Sequence, residues 1–358
     1  VPSEPSDEPH HDTSKHLSGK FQVGAGYNAW DKFIATAKVS HDNLFGSGNR
    51  LSLEAAISGR RTEAALRYTV PSVSDSGVSL SAEAGTSNRF FDDFSRNSYG
   101  ARIRAQRELS PGLVVGLGYS LEEVQAAATN PLLPGKLLRG GTLSTLSGDF
   151  SYTAHKAGER VDTGFSQKLS LDISSGALGS DIGLLRAQKE SGYSFTLHRF
   201  GDLTFRLRTQ LGYLTSTDGQ AVPVTERFFL NSPGVMRGIS PNSLGPSLLL
   251  PDEPGGPLRR VSIGGTGIAT ASAEIELPLR KNLKGYVFLD AGNTFDGQTG
   301  LRGLSREDLD FGSLPLRTSA GVGLRWESPI GPIGVECGAP LDPRPGERPV
   351  LCQLRIGR

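Results

Sequence analysis

From Gly19 onward, apolar and polar residues alternate with a period of two, the pattern of strands with one apolar and one polar face. In 203-LTFRLRTQLGYL-214, Leu203, Phe205, Leu207, Leu211 and Tyr213 share one face, and Thr204, Arg206, Arg208 and Gln210 the other. The same reading separates Leu169, Leu171 and Ile173 from Lys168, Ser170 and Asp172, and Ile103 and Ala105 from Arg102, Arg104 and Gln106. In 317-RTSAGVGLRW-326, Ala320, Val322, Leu324 and Trp326 oppose Arg317 and Arg325. In 21-FQVGAGY-27, Phe21, Val23, Ala25 and Tyr27 oppose Gln22 and two glycines. Sixteen such segments start near Leu17, Lys32, Arg50, Thr62, Gly77, Ser98, Gly112, Thr142, Gly164, Leu185, Leu203, Gly267, Lys284, Arg317, Gly331 and Val350. They run about ten residues each, the length that a tilted strand needs to cross a bilayer.

Lipid supplies no hydrogen bonds, so a spanning sheet must close on itself. The pattern therefore predicts an all-β chain, a 16-stranded antiparallel transmembrane β-barrel over residues 17–358. Short turns such as 199-RFGD-202 should alternate with longer loops. The connection 215–266, rich in Pro and Gly, reads as one long structureless loop, and a loop of that length usually carries function. A soluble sandwich would turn its polar faces outward around an apolar core. A propeller would show a blade-length repeat, and the chain has none.

Composition narrows the picture. The formal net charge of +1 over 358 residues argues against a nucleic-acid partner, which needs a basic surface. Forty-six glycines are about twice the usual share of roughly 7%. No run approaches the roughly 18 apolar residues of a membrane helix, and the start lacks the order of a secretory signal. Residues 1–16 read as a disordered linker, for which His10, His11, His16 and Asp12 offer only a remote metal site. Nothing suggests an enzyme: no nucleophile–histidine–acid set, metal spacing or phosphate loop is present, and no cofactor is expected. Cys337 and Cys352 match no zinc spacing.

Four landmarks then fall in one order: 43-NLFGSGN-49, 232-SPGVMRGI-239, the acidic 271-ASAEIELPL-279 and 286-YVFLDAGNTFD-296. In this the chain resembles the outer-membrane-protein assembly superfamily, which includes the bacterial BamA-type insertase, the chloroplast Toc-type import barrel and the mitochondrial sorting-and-assembly barrel. Within it, 243-SLGP-246, 333-IGVECGAPL-341 and 351-LCQLRIGR-358 look most like the mitochondrial branch. That resemblance implies a mitochondrial outer membrane, with chloroplast envelope and bacterial outer membrane as alternatives. It also implies a polypeptide-transport-associated domain upstream, removed or missing here. Two positions depart from the family motif, where Met236 and Ile239 stand for the usual Val and Phe. Without the aromatic, the loop is expected to pack less well. The final aromatic after the last strand is also absent.

The resemblance implies that the sixth external loop folds into the lumen through Val235, Met236, Arg237, Gly238 and Ile239. Arg237 would there meet Glu274 and Asp290. Chemistry supports the pairing, since a guanidinium fork shielded from water binds carboxylates strongly. The bland alternative is a solvated loop charge. The resemblance also makes the first and last strands a closing seam, a lateral gate through Phe21, Val23, Gly24 and Gly26 on one side and Gln353, Leu354, Ile356 and Gly357 on the other. Glycine-weakened strands there would offer backbone edges to an incoming strand. Alternatively, the glycines only relieve crowding in the lumen. Cys337 and Cys352 flank the last external loop, and on a cytosolic face they are expected to be reduced, serving as small apolar residues. The function implied is an insertase that recognises the terminal strand of β-barrel precursors and templates their insertion. Its partners would be those precursors, the bilayer and the other subunits of an assembly complex. A polypeptide-translocation channel of the same superfamily is the alternative, and a passive solute pore would not need the arginine loop.

Overall fold

A computed structural model describes residues 19–74, 76–230, 235–240, 244–296, 316–329, 331–344 and 347–356. The expected linker 1–16, Gly357 of the expected gate and residues 232–234 of the loop landmark lie outside them.

The strands are β1 (Gly19–Asn28), β2 (Lys32–Leu44), β3 (Asn49–Ser58), β4 (Arg61–Val70), β5 (Val78–Phe90) and β6 (Phe94–Ser110). Next come β7 (Leu113–Ala128), β8 (Gly141–Lys156), β9 (Val161–Ser174), β10 (Leu184–Leu197) and β11 (Leu203–Ser216). After β12 (Ser247–Pro251) and β13 (Leu258–Ser262) follow β14 (Gly267–Arg280), β15 (Leu283–Phe295), β16 (Arg317–Ser328), β17 (Gly331–Pro340) and β18 (Leu351–Ile356). Sixteen of these close into an antiparallel barrel, each pairing with its neighbour in the chain, β11 with β14 and β18 with β1.

The outward rows are the apolar half of the alternation. Leu53, Ile103, Leu117, Leu169, Leu211, Val287 and Val322 are all exposed, and only lipid makes such a belt favourable. The inward rows carry the charges, many of them ion-paired to a neighbouring strand, as Lys38 is to Glu54 and Arg67 to Glu83.

All the short turns of the β2–β3, β4–β5, β6–β7, β8–β9, β10–β11, β14–β15 and β16–β17 hairpins lie at one end. The three register shifts, at His41/Leu44, Glu108/Ser110 and Pro278/Arg280, are at that end too. The opposite, external end carries the long loops. There β6, β7 and β8 reach 17, 16 and 16 residues, longer than a span needs, and they support a cap.

The connection after β11 is not structureless. It contains the β12–β13 hairpin, whose five-residue strands are too short for their alternation to stand out. The hairpin lays Leu248, Leu250, Val261 and Ile263 against Phe91, Phe94, Leu133, Leu137 and Phe229. The Phe91 and Phe94 rings stack at 4.3 Å. Arg259 fastens the hairpin to Asp93, just before β6.

Candidate functional site

The site is built on the inner face of four neighbouring strands. Alternation turns Ser272, Glu274 and Glu276 of β14 inward and sends Ala273, Ile275 and Leu277 toward lipid. On β15, Tyr286, Phe288 and Asp290 point inward. Register then sets Ser272 opposite Asp290 and Glu274 opposite Phe288. The rings of Phe288 and Tyr286 lie over the backbone of their own partners on β16, Gly321 and Gly323. Side chains at those two positions would displace the rings.

The loop reaches this wall at Arg237. Its backbone N–H donates to Asp290 Oδ2 at 3.0 Å and its Nε to the same oxygen at 2.8 Å. Nη2 donates to Asp290 Oδ1 at 2.8 Å and to Ser272 Oγ at 3.0 Å. Nη1 donates to Glu274 Oε2 at 2.8 Å. The guanidinium also lies 3.7 Å from the centroid of the Phe288 ring. Asp290 is wholly buried, and Arg237 and Glu274 are each 5% exposed. The fork is bidentate on Asp290 and stacked on an aromatic face, a geometry that lysine cannot reproduce. Burial alone would lower the affinity of Arg237 for its proton, but Asp290 and Glu274 more than reverse this and raise it.

Further charges complete a network. Arg206 of β11 bonds Glu276 at 2.8 and 3.1 Å and Glu274 at 3.3 Å. Arg325 of β16 donates to Glu276 at 2.5 Å, and Lys284 lies 3.1 Å from Glu276. Tyr286 Oη donates to Glu336 of β17 at 3.0 Å. The cations Arg206, Arg237, Arg325 and Lys284 thus meet the carboxylates Glu274, Glu276, Asp290 and Glu336, and Arg208 of β11 adds a further positive charge near Glu274. Pairing of this kind offsets much of the cost of burying charge.

Gly238 has a φ of +82°, and a Cβ there would sit 2.5 Å from the carbonyl carbon of Gly338 on β17. The backbone of the loop therefore touches the backbone of the wall, and only glycine fits. Met236 and Ile239 are buried in one apolar cluster with Leu214, Phe228, Leu244 and Ile268, and Val235 packs against it. The expectation of poor packing at Ile239 is corrected: at 2% exposure it is buried in the cluster it shares with Phe228.

Two further anchors were not read from the sequence. Glu226, in the short 3₁₀ turn Val224–Glu226, accepts from Arg96 Nε of β6 at 2.9 Å and from Arg186 Nη2 of β10 at 3.3 Å. Burial pushes its carboxyl up, and the two arginines reverse that and hold it below the usual range. Arg227 donates to Asp296, just past β15, at 2.9 Å and to the Val222 carbonyl at 3.1 Å. A charged pair opening the apolar run 226-ERFFL-230 was the available signal. Polar cavities remain beside the loop; one of about 550 Å³ is lined by Glu63, Arg89, Arg96, Glu122 and Glu226. Among the described residues, no cluster of His, Cys, Asp and Glu could hold a metal.

The closing seam pairs β1 with β18 through Tyr27 and Ile356 and through Asn28 and Arg355. Ile356 is thus the one described member of the expected last-strand set that faces a β1 residue in register. Gln353 and Leu354 pair with Glu336 and Val335 of β17, and Phe21, Val23 and Gly24 pair with Val39, Ala37 and Thr36 of β2. Gly26 lies against the seam, where a Cβ would come within 2.8 Å of the Ile356 carbonyl oxygen. The expectation of reduced cysteines is overturned, since Cys337 and Cys352 form a disulfide. Register explains it: the two residues stand directly opposite on β17 and β18, on the outward face.

Comparison with known proteins agrees with this architecture. The Omp85 superfamily domain matches residues 43–358. The outer membrane protein assembly factor BamA of Nitratidesulfovibrio vulgaris is 26% identical over 343 residues, 92% of this chain and 40% of that protein. The BamA of Neisseria meningitidis is 24% identical over 393 residues, 96% of this chain and 47% of that protein. The chain therefore spans less than half the length of these relatives. Among solved structures, BamA from Haemophilus ducreyi lacking its POTRA domains 1–3 superposes with a TM-score of 0.83 at 21% identity, covering 95% of this chain and 70% of that one. CdiB from Acinetobacter baumannii superposes with a TM-score of 0.59 at 14% identity, covering 94% and 59%.

Proposed function

The chain belongs to the Omp85 superfamily, and from that premise we propose that it is the barrel of an outer-membrane β-barrel insertase. It would recognise the terminal strand of a precursor and template its folding through the β1–β18 seam. The observation that carries this reading is the anchored loop: Arg237 locks the loop to β14 and β15, and Gly238 brings it against β17, the neighbour of the seam strand β18. A rigid wall with one weakly paired seam is suited to strand exchange, which runs on backbone pairing and on burial in lipid. No covalent step and no cofactor are needed. The relatives named as assembly factors support the same reading.

The partners in this reading are barrel precursors, the bilayer and other subunits of an assembly complex. For location, the bacterial relatives and the disulfide favour a bacterial-type outer membrane, because disulfides persist in oxidising compartments. The mitochondrial alternative rests on 243-SLGP-246, 333-IGVECGAPL-341 and 351-LCQLRIGR-358.

The test is a photo-crosslinker at Val23, on the outward face of β1, in native membranes supplied with a labelled precursor. The precursor's terminal strand should be captured at Val23 and not at an outward position far from the seam, such as Leu169. Equal capture at both positions, or capture at neither, would sink the proposal. The second reading, a polypeptide channel of the same superfamily, requires the loop to leave the lumen. It would give conductance in planar bilayers coupled to substrate passage.

A further inference from the structure

β17 is held on three sides. Its ladder to β16 is continuous from Ser319–Pro340 to Ser328–Gly331. From the lumen, Gly238 abuts Gly338, Tyr286 bonds Glu336, and Arg237 Nη1 lies 3.9 Å from Glu336. From the lipid side, Cys337 is bonded to Cys352 on β18, in one outward row with Val322 of β16. Besides the bond, six described residue pairs hold β18 to β17. Its other edge, toward β1, carries two described pairs and no covalent link.

We infer that the Cys337–Cys352 disulfide selects the edge at which the barrel opens. It makes β18 one unit with the anchored β17, so the sheet parts between β1 and β18 and not between β17 and β18. An incoming strand then meets β1 and β18 as its two flanking edges and never the edge of β17. The bond lies at the second described ladder pair after the last external loop, next to the Gly338–Leu351 pair, where β18 would otherwise begin to peel. The inference rests on the proposed strand exchange at the seam, while the tie itself can be measured without any precursor.

The experiment uses the whole chain in nanodiscs, as isolated and after treatment with tris(2-carboxyethyl)phosphine. The phosphine takes an oxygen from water and leaves two thiols, and maleimide labelling before and after reports the state of the bond. Amide hydrogen exchange is followed on Leu351–Ile356 and on Gly331–Pro340. The disulfide closes a segment of 15 residues, so opening of β18 should rise on the order of a hundredfold on reduction while β17 hardly changes. Cys352→Ser should behave as the reduced protein does, which separates loss of the bond from any effect of the reagent. Maleimide labelling without reductant, or exchange in Leu351–Ile356 that ignores reduction, overturns the inference. A second arm adds a labelled precursor with crosslinkers at Val23 and at Val335. Capture should be confined to Val23 while the bond is intact and extend to Val335 when it is reduced. Capture at Val335 with the bond intact also overturns the inference. Capture at neither position, alongside the expected exchange, would instead count against the insertase reading alone.

Discussion

Arg237→Ala is the most direct test of the anchored loop, and the structure indicates where its cost falls. Glu274 would keep Arg206 at 3.3 Å and Arg325 at 3.6 Å. Asp290 would keep no cation within bonding distance among the described residues, only the Ser272 hydroxyl at 2.7 Å and the loop's own backbone N–H. Asp290 has no exposed surface, so its charge cannot turn to water. Breaking a buried pair by removing one partner costs about 3–5 kcal/mol. Since every 1.4 kcal/mol is tenfold, the released loop should gain roughly two to three and a half orders of magnitude in population. Amide exchange over residues 235–240 in nanodiscs reads that population directly. Asp290→Asn removes the stranded charge, so Arg237→Ala/Asp290→Asn should be less damaging than the sum of the single changes by about 1–3 kcal/mol. If Arg237→Ala shifts loop opening by less than about 1 kcal/mol, or if the two changes add to within about 0.5 kcal/mol, the pair does not anchor the loop.

Other outcomes follow from the same contacts. Gly238→Ala should also free the loop: its left-handed backbone alone costs a non-glycine residue about 1–2 kcal/mol, and the new Cβ would press on the Gly338 backbone; wild-type exchange at 235–240 would contradict this. Arg227→Ala removes the 2.9 Å contact to the buried Asp296, which keeps the Thr266 hydroxyl, and should cost about 1.5–3 kcal/mol, the range for a hydrogen bond to a charged group, seen first as faster exchange over residues 222–230; if that segment stays protected, the second anchor is not one. His198, in the turn between β10 and β11, is held protonated to higher pH than usual by Asp202 and then Asp162. Its folded value is the raised one, so its contribution is complete below about pH 6.5 and is lost as pH rises through the folded value; denaturation of wild type and His198→Gln at low and high pH should show the difference shrinking upward, and a growing difference would reverse the argument. Asn28→Cys/Arg355→Cys, at directly opposed seam positions, should block precursor release once oxidised, and assembly at the wild-type rate would rule out opening there.

The strands were legible because alternation is local. The segments expected to start near Lys32, Arg50, Lys284 and Val350 begin at Lys32, Asn49, Leu283 and Leu351. The meeting of Arg237 with Glu274 and Asp290 was legible through motif order, since a family resemblance names partners that periodicity cannot. The Glu226 and Arg227 anchors show what is missing without such help. Their partners Arg96 and Asp296 lie 130 and 69 residues away, and one charge in an apolar run does not declare which distant charge it meets. The β12–β13 hairpin escaped because five residues hold too few alternations to exceed the Pro- and Gly-rich background. The cysteines were misread for another reason: their state depends on register, and register between β17 and β18 becomes visible only when the hairpin is built.

The placement of the anchors bears on how such a barrel can open without falling apart. The loop's described polar anchors fall on Arg96 of β6, Arg186 of β10, Glu274 of β14, Asp290 of β15 and, just past β15, Asp296. Gly238 adds a backbone contact to β17, and the disulfide extends that body to β18. The loop therefore acts as a strut across the lumen that joins β6–β18 into one frame. Among the described residues the loop's polar anchors leave out β1–β5, which join the frame along the β5–β6 ladder, through Arg60 and Asp92, and at the seam. Were the seam to part, as the proposed strand exchange requires, the division would fall between the five-stranded sector and the strutted frame. Buried ion pairs suit that task better than apolar packing alone. Apolar contacts tolerate sliding, whereas a fork on Asp290 and Glu274 fixes one position of the loop against two strands at once.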